Sequence, residues 1–447
     1  MTDSNTSGAP RNGLWVVGLC LLAIVADGYD LIVYGATVPS LLKEPGWELS
    51  KTTAGAIGSW TLVGLMVGFL TVGRLADLVG RRRLMLIGVT WFSLASVACG
   101  FATSPLFMGV GRFLAGIGLG GVLPLALMLA MEFAPRDRRQ LYNGLTMSGY
   151  AVGTVICSLL ALQVIPAHGW RPMYYAAGAF LLIVPLMWFH LPESVSWLVS
   201  KNRMDEARVV SQRYAVDLDA IVSELQAQRD LAQGAESAGG YRAVFSQRYW
   251  LATVMFIVAS MLINIVIYGL NTWLPEIMRS AGYSLGSALQ FMLVMQVGTL
   301  IGLVGWSALA DRFTPRRVIA PAYFLGFLAL VVMSFNLPAG LLMLTIGIAG
   351  IGTVGANVMT YGFIGAFYPV ALRGTALGVA IGLGRFGSIL GPMLGAWVLN
   401  ADLGTGWSFA SFAIPTLVLV VVTLLIPKSP AEKASRAAAP VAEKAAA

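Results

Sequence analysis

The sequence predicts an all-α membrane protein of twelve transmembrane helices, built as two six-helix halves with both termini in the cytoplasm. Three observations predict it. Of 447 residues, 57% are hydrophobic and only 11% are charged, with a mean hydropathy of +0.77; a soluble domain carries about 25% charged residues to cover its surface. The apolar residues fall into runs of the ~20 residues that a helix needs to cross a bilayer. Finally, the second half of the chain repeats the first at a constant offset. An ordinary cytosolic enzyme, a disordered regulator and a secreted disulfide scaffold are excluded by the same composition.

The first apolar run, 14–41, follows a polar start. It is too long for the core of a signal peptide and shows no clear cleavage site, so it is read as a retained span. Five more runs follow at 52–76, 83–103, 105–131, 140–165 and 171–190. The stretch 191–248 is polar and charged, with a surface helix expected over 204–212. Six further runs occupy 249–274, 286–310, 316–336, 338–366, 371–399 and 405–427. The domain division is therefore 1–190, 191–248, 249–427 and a cytoplasmic tail at 428–447, whose small Ala-rich end is expected to be disordered.

Orientation follows from the basic residues, because cytoplasmic loops hold an excess of Lys and Arg. The chain has 29 of them. With the N-terminus inside, only Lys43, Lys51, Arg171 and Arg279 face outward, and Arg112 and Arg385 lie within spans. The net charge of +8 is thus a topology signal rather than a nucleic-acid footprint. An offset of 234 residues superposes the halves. Asp30-Leu-Ile-Val-Tyr34-Gly35 meets Asn264-Ile-Val-Ile-Tyr268-Gly269, and Leu75-Ala-Asp77 meets Leu309-Ala-Asp311. Ala115-Gly-Ile-Gly118 meets Ala349-Gly-Ile-Gly352, and Pro135 and Arg139 meet Pro369 and Arg373. Six spans per half make this a parallel repeat, which places a substrate site near mid-bilayer at the repeat interface.

No cofactor is expected. The chain has no nucleotide-binding Gly-x-x-x-x-Gly-Lys-Ser/Thr and no His-Glu-x-x-His. Cys20, Cys99 and Cys157 lie singly in apolar runs, and His168 and His190 are isolated near segment ends, so no metal site is expected.

The run Gly73-Arg-Leu-Ala-Asp77-Leu-Val-Gly80-Arg81-Arg82 resembles the loop 2–3 signature of the major facilitator superfamily, with an echo at Asp311-Arg-Phe-Thr-Pro-Arg-Arg317. Pro192-Glu193-Ser194-Val-Ser-Trp197-Leu198 is similar to the segment after span 6 of sugar and metabolite–proton symporters. Asp27-Gly28-Tyr29-Asp30 resembles the Asp-Gly-x-Asp motif of the aromatic acid–proton symporter family. The resemblance implies a monomeric transporter, not an enzyme, that couples protons to uptake of benzoate-like acids across a bacterial inner membrane. It also implies that Gly73, Asp77, Arg81, Glu132, Arg139, Glu193, Asp311 and Arg373 form a cytoplasmic network that latches the outward-facing state. One departure is a basic loop 8–9 without the histidine some relatives carry there; Arg316 stands near that position.

The buried charges carry the chemistry. A charge at the centre of a membrane helix costs about 2.5–3.5 kcal/mol on insertion scales, so its presence calls for a purpose. Asp27 and Asp30 lie near the middle of the first span on roughly one face. Paired carboxyls in a low dielectric can hold a proton near neutral pH. Arg112 lies at a depth comparable with Asp30, either as counter-charge to the pair or as a fork for a substrate carboxylate. Arg385, in Gly382-Leu-Gly384-Arg385-Phe-Gly387, is the first choice for that carboxylate, since glycines beside it permit close approach. In the repeat, Asp27, Asp30, Arg112 and Arg385 meet Met261, Asn264, Ile346 and Ala151, so the charges break the symmetry that the scaffold keeps. The inferred division gives protons mostly to the first half and the carboxylate to the second. Flat walls for an aromatic ring, with polar tips, are expected from Tyr34, Tyr268, Asn264, Asn271, Tyr150, Tyr361 and Phe363. Three other readings share this composition: a proton-coupled carrier of another organic acid, a drug–proton antiporter, and a transporter-like sensor.

Overall fold

The computed structural model describes residues 11–135, 139–223, 225–226, 240–313, 315–335, 337–368 and 370–427. Among them, eleven helices are long and apolar enough to cross a membrane, and a further apolar helix, Arg317–Met333, is shorter. The expected tail at 428–447 lies outside the described residues. Contacts divide the chain into two compact units. One comprises Met1–Gln228, Leu270–Gln296 and Pro392–Thr405; the other comprises Arg229–Gly269, Val297–Gly391 and Gly406–Ala447.

The first unit begins with α1 (Arg11–Leu41), α2 (Lys51–Val79), α3 (Arg81–Gly100), α4 (Pro105–Phe133) and α5 (Arg139–His168). Local signals set the helix starts. Ser50 and Ser104 accept backbone N–H bonds from Thr53 and Phe107 as N-caps, and Pro105 occupies the first turn of α4. Gly80, at φ 103°, makes the tight turn between α2 and α3, a conformation that an L side chain rarely adopts. Helix α4 is central: α1, α2 and α3 all pack on it, while α1 also packs on α5. Small residues let α2 and α4 approach closely, with Gly64 and Gly68 against the backbone of Phe113 and Ile117, and Gly116 and Gly120 against that of Thr61 and Leu65.

The run expected as one span over 171–190 is not a uniform α-helix. It consists of α6 (Arg171–Ala176), a 3-10 stretch (Ala177–Leu182) and α7 (Ile183–His190). The polar segment after it forms α8 (Val195–Ser200) and α9 (Met204–Tyr214). These are anchored: Val195, Trp197, Leu198, Ala207 and Tyr214 join the core cluster that holds Leu129 and Phe133.

A short α10 (Gly240–Val244) precedes the second set of long helices: α11 (Trp250–Ser280), α12 (Leu285–Arg312), α13 (Pro315–Met333), α14 (Ala339–Gly352), α15 (Asn357–Phe367), α16 (Val370–Asn400) and α17 (Thr405–Leu425). Helix α11 runs past the expected end at 274 and through Pro275. The expected span 338–366 is broken at Thr353, whose φ and ψ are −107° and −81°. Trp306 Nε1 donates to the Ile351 carbonyl at 2.9 Å beside that break. This is how a membrane protein tolerates irregular backbone at depth.

The ends of α11 and α16 that fall in the first unit are tied to α1 and α2. Trp273 Nε1 donates to the Pro392 carbonyl at 2.7 Å, and Lys51 Nζ donates to the Leu399 carbonyl at 3.1 Å. At Gly35 a Cβ would stand 1.9 Å from the Asn271 carbonyl oxygen, so only glycine permits this approach.

Candidate functional site

Asp30 and Arg112 form a buried ion pair in the first unit. Arg112 Nη1 lies 2.6 Å from Asp30 Oδ1, and the two side chains are 2% and 1% exposed. Arg112 also donates through Nη2 to the Asp30 carbonyl at 3.2 Å and through Nε to Thr61 Oγ1 at 3.1 Å. Ser96 Oγ donates to Asp30 Oδ1 at 3.1 Å. The guanidinium stands 5.8 Å from the ring centroid of Tyr34 and 6.0 Å from that of Tyr174, within cation–π range. Those rings are held in turn: Tyr34 donates to the Ala54 carbonyl at 2.5 Å, and Tyr174 OH and Thr37 Oγ1 are 3.1 Å apart. Side chains from α1, α2, α3, α4 and α6 thus surround one charge pair. All of Arg112's fork is directed at fixed acceptors, which makes it the counter-charge of Asp30 in this state.

The carboxyl is satisfied on one side only. Oδ1 accepts two hydrogen bonds, whereas the buried Oδ2 has no hydrogen-bond partner among the described residues. A buried carboxyl oxygen without a hydrogen bond is costly to leave in that condition. Asp27, one turn earlier, is also buried, at 6% exposure.

In the second unit, Arg385 is half-buried on α16, and its Nη1 donates to Tyr268 OH at 2.9 Å. Neighbouring backbone is held by Asn264, whose Nδ2 donates to the Gly384 carbonyl at 3.1 Å. Glycines set the helix separation. A Cβ on Gly387 would stand 2.0 Å from the Met261 carbonyl oxygen, and one on Gly384 would stand 2.6 Å from Ser260 Cβ. Arg385 therefore projects from a helix pressed directly against α11. A guanidinium on such a support suits forked binding of a carboxylate.

The remaining sequence candidates are distributed as follows. Asn271 is buried, and its Oδ1 accepts from Gln296 Nε2 at 3.0 Å. Tyr150 on α5 and Tyr361 on α15 are half-buried. The ring of Phe363 packs edge-on against Phe256 at 5.2 Å within a cluster that includes Phe367. Among the charges expected as a latch, Arg81 and Glu132 pair at 3.1 Å. Glu132 also accepts from Ser194 Oγ at 2.7 Å and from the Ser196 N–H at 2.8 Å. Glu193 accepts from the backbone N–H groups of Arg82 and Ser194, both at 3.0 Å. Asp77 and Gly73 are exposed, with the Asp77 carbonyl accepting from Trp197 Nε1 at 3.0 Å. Arg373 is exposed near Gly365. The side chains of Arg139, Asp311 and Arg316 lie outside the described residues. Sequence reasoning missed Thr61, Ser96, Tyr174 and Gln296. Their signal was a polar group in an apolar helix, which does not reveal its partner.

The model of the Major Facilitator Superfamily matches residues 20–335 and 295–446. A benzoate transport protein of Acinetobacter baylyi is 34% identical over 421 residues, covering 92% of this chain and 89% of that protein. A gentisate transporter of Corynebacterium glutamicum is 34% identical over 398 residues, covering 88% of this chain and 83% of that protein. The inward-open xylose transporter XylE from E. coli superposes with a TM-score of 0.75 at 16% identity, over 94% of this chain and 97% of that one, a likeness of fold. The chain belongs to the major facilitator superfamily, among its aromatic acid transporters.

Proposed function

We propose that this protein is a proton-coupled symporter that imports an aromatic carboxylate across the bacterial inner membrane by alternating access. In this reading it has twelve spans, with both termini in the cytoplasm. The observation that carries it is Asp30, buried in the first span, bound through Oδ1 and, among the described residues, without a hydrogen-bond partner at Oδ2. A proton arriving at Oδ2 neutralises the carboxyl. Arg112 then keeps its bonds to the Asp30 carbonyl and Thr61 and its two aromatic faces, so the charge state of one buried pair changes without dismantling its support. Asp27 is the second proton candidate. Arg385, oriented by Tyr268, grips the substrate carboxylate. The relatives named for benzoate and gentisate support an aromatic acid as that substrate. The latch residues Arg81, Glu132 and Glu193 join α3 and α4 to the segment after α7, as a cytoplasmic gate element would.

Energetics favour coupling. Moving a monoanion against an inside-negative potential costs about 2.3 kcal/mol per 100 mV, and one accompanying proton cancels that charge. Each pH unit then supplies about 1.4 kcal/mol, a roughly tenfold accumulation. Purified protein in sealed liposomes tests this with labelled benzoate, hydroxybenzoates, gentisate and protocatechuate. Accumulation is expected when the outside is acidified, and a protonophore should abolish it. Uptake blind to the pH gradient would remove proton coupling, and indifference to every aromatic acid would remove the substrate class.

A further inference from the structure

We propose that Asn271 and Gln296 form a subsite that reads a hydroxyl on the substrate's ring; this rests on the aromatic acid reading above. Two amides on α11 are treated differently by the fold. Asn264 gives its Nδ2 to the Gly384 carbonyl. Asn271 is equally buried, at 2% exposure, yet among the described residues its Nδ2 has no hydrogen-bond partner. Gln296 on α12, itself 1% exposed, donates to Asn271 Oδ1 at 3.0 Å. That bond fixes which end of the Asn271 amide is acceptor and leaves the NH₂ as the open end. Leaving such a donor unmet costs stability, and a role in recognition is one reason for an interior amide to carry that cost.

Two further observations favour recognition. The pair lies beside the buried polar cluster of the same unit. The main-chain carbonyl of Asn271 abuts Gly35, next to Tyr34, and a Cβ at Gly58 would touch both Tyr34 and Thr272, so this turn of α11 packs on the segment of α1 that carries Tyr34. Tyr34 is one of the two rings facing Arg112. The pair also breaks the internal repeat. At the offset of 234, Asn271 meets Thr37 and Gln296 meets Leu62. Thr37 is satisfied by the carbonyls of Val33 and Tyr34 and by Tyr174. The amide pair therefore exists in one half only, like the buried charges. An open NH₂ accepts no hydrogen bond of its own, so its ligand must present a lone pair. A phenolic oxygen does so, and an unsubstituted ring edge does not. The same preference would be absent for a ring whose only polar group is the carboxylate.

The test compares uptake of benzoate with that of 2-, 3- and 4-hydroxybenzoate by the full-length protein in liposomes under one fixed pH gradient. At least one hydroxy isomer is expected to have a KM about tenfold below that of benzoate, as for sites built to hydrogen-bond a substrate hydroxyl. Asn271→Leu and Gln296→Met should each collapse that ratio toward one. Gln296→Met keeps side-chain length and carries the test if Asn271→Leu does not reach the membrane. Wild-type protein with no preference among the four acids, or variants that weaken all four equally, would overturn the subsite. Wild-type protein that transports none of the four would instead overturn the transport reading on which it rests.

Discussion

Asp30→Asn and Arg112→Gln, alone and together, test whether the pair is a true ion pair in the interior. Asparagine at position 30 retains an oxygen for Arg112 Nη1 and Ser96 Oγ but removes the negative charge, leaving a guanidinium that is 2% exposed with no anion at 2.6 Å. It also places an NH₂ where Oδ2 has no partner among the described residues, and so creates an unmet donor. Arg112→Gln leaves the opposite defect, an isolated buried carboxylate, and removes the donors to Thr61 and to the Asp30 carbonyl. Breaking a buried pair from one side costs about 3–5 kcal/mol, whereas removing both charges is often far cheaper. Each single variant is therefore expected to lose that much stability, and the double variant should recover at least about 2 kcal/mol of the summed loss. Thermal unfolding followed by tryptophan fluorescence in one detergent provides the readout. Losses that simply add in the double variant would refute the reasoning, since they would mean that neither charge depends on the other.

Other expectations follow from the same geometry. Arg385→Ala should raise the KM for the aromatic acid at least tenfold in liposome uptake, because each charge-assisted bond to a carboxylate is worth about 1.5–3 kcal/mol; Tyr268→Phe, which removes the 2.9 Å bond to Arg385, should raise it about fivefold. Gly387→Val should abolish recovery of folded protein, because a Cβ would stand 2.0 Å from the Met261 carbonyl oxygen; Gly378→Ala, which meets nothing within 4 Å, should express normally by size-exclusion chromatography. Glu132→Gln should lower the unfolding temperature, because the carboxylate accepts from Arg81, Ser194 Oγ and the Ser196 N–H, and Arg81→Gln added to it should cost little more.

The spans were legible because apolar length is a strong signal: most helix ends fall within a few residues of the sequence-predicted runs. The departures have local causes. Helix α11 continues past the expected end at 274, through Pro275 to Ser280, because a membrane helix tolerates the lost N–H bond when neighbours compensate. The break at Thr353 and the 3-10 stretch Ala177–Leu182 leave no hydropathy signature, since every residue around them is small or apolar. At the site, buried Asp and Arg announce themselves by cost alone. Their partners do not: Thr61, Ser96 and Tyr174 lie on three different helices, and only packing brings them to Arg112 and Asp30. The repeat located Tyr34 and Tyr268 as a matched pair, but not that one would bond the Ala54 carbonyl and the other Arg385.

The central claim is that Asp30 loads the proton that travels with the substrate. Its most direct test is substrate-driven proton movement: a weakly buffered suspension of liposomes holding the protein, an external pH-sensitive dye, and a pulse of aromatic acid with no imposed gradient. The account predicts prompt alkalinisation outside with wild-type protein and none with Asp30→Asn, while Asp30→Asn still exchanges labelled for unlabelled acid across the membrane. Substrate entry that leaves the external pH unchanged in wild type, or alkalinisation that survives Asp30→Asn undiminished, would contradict it.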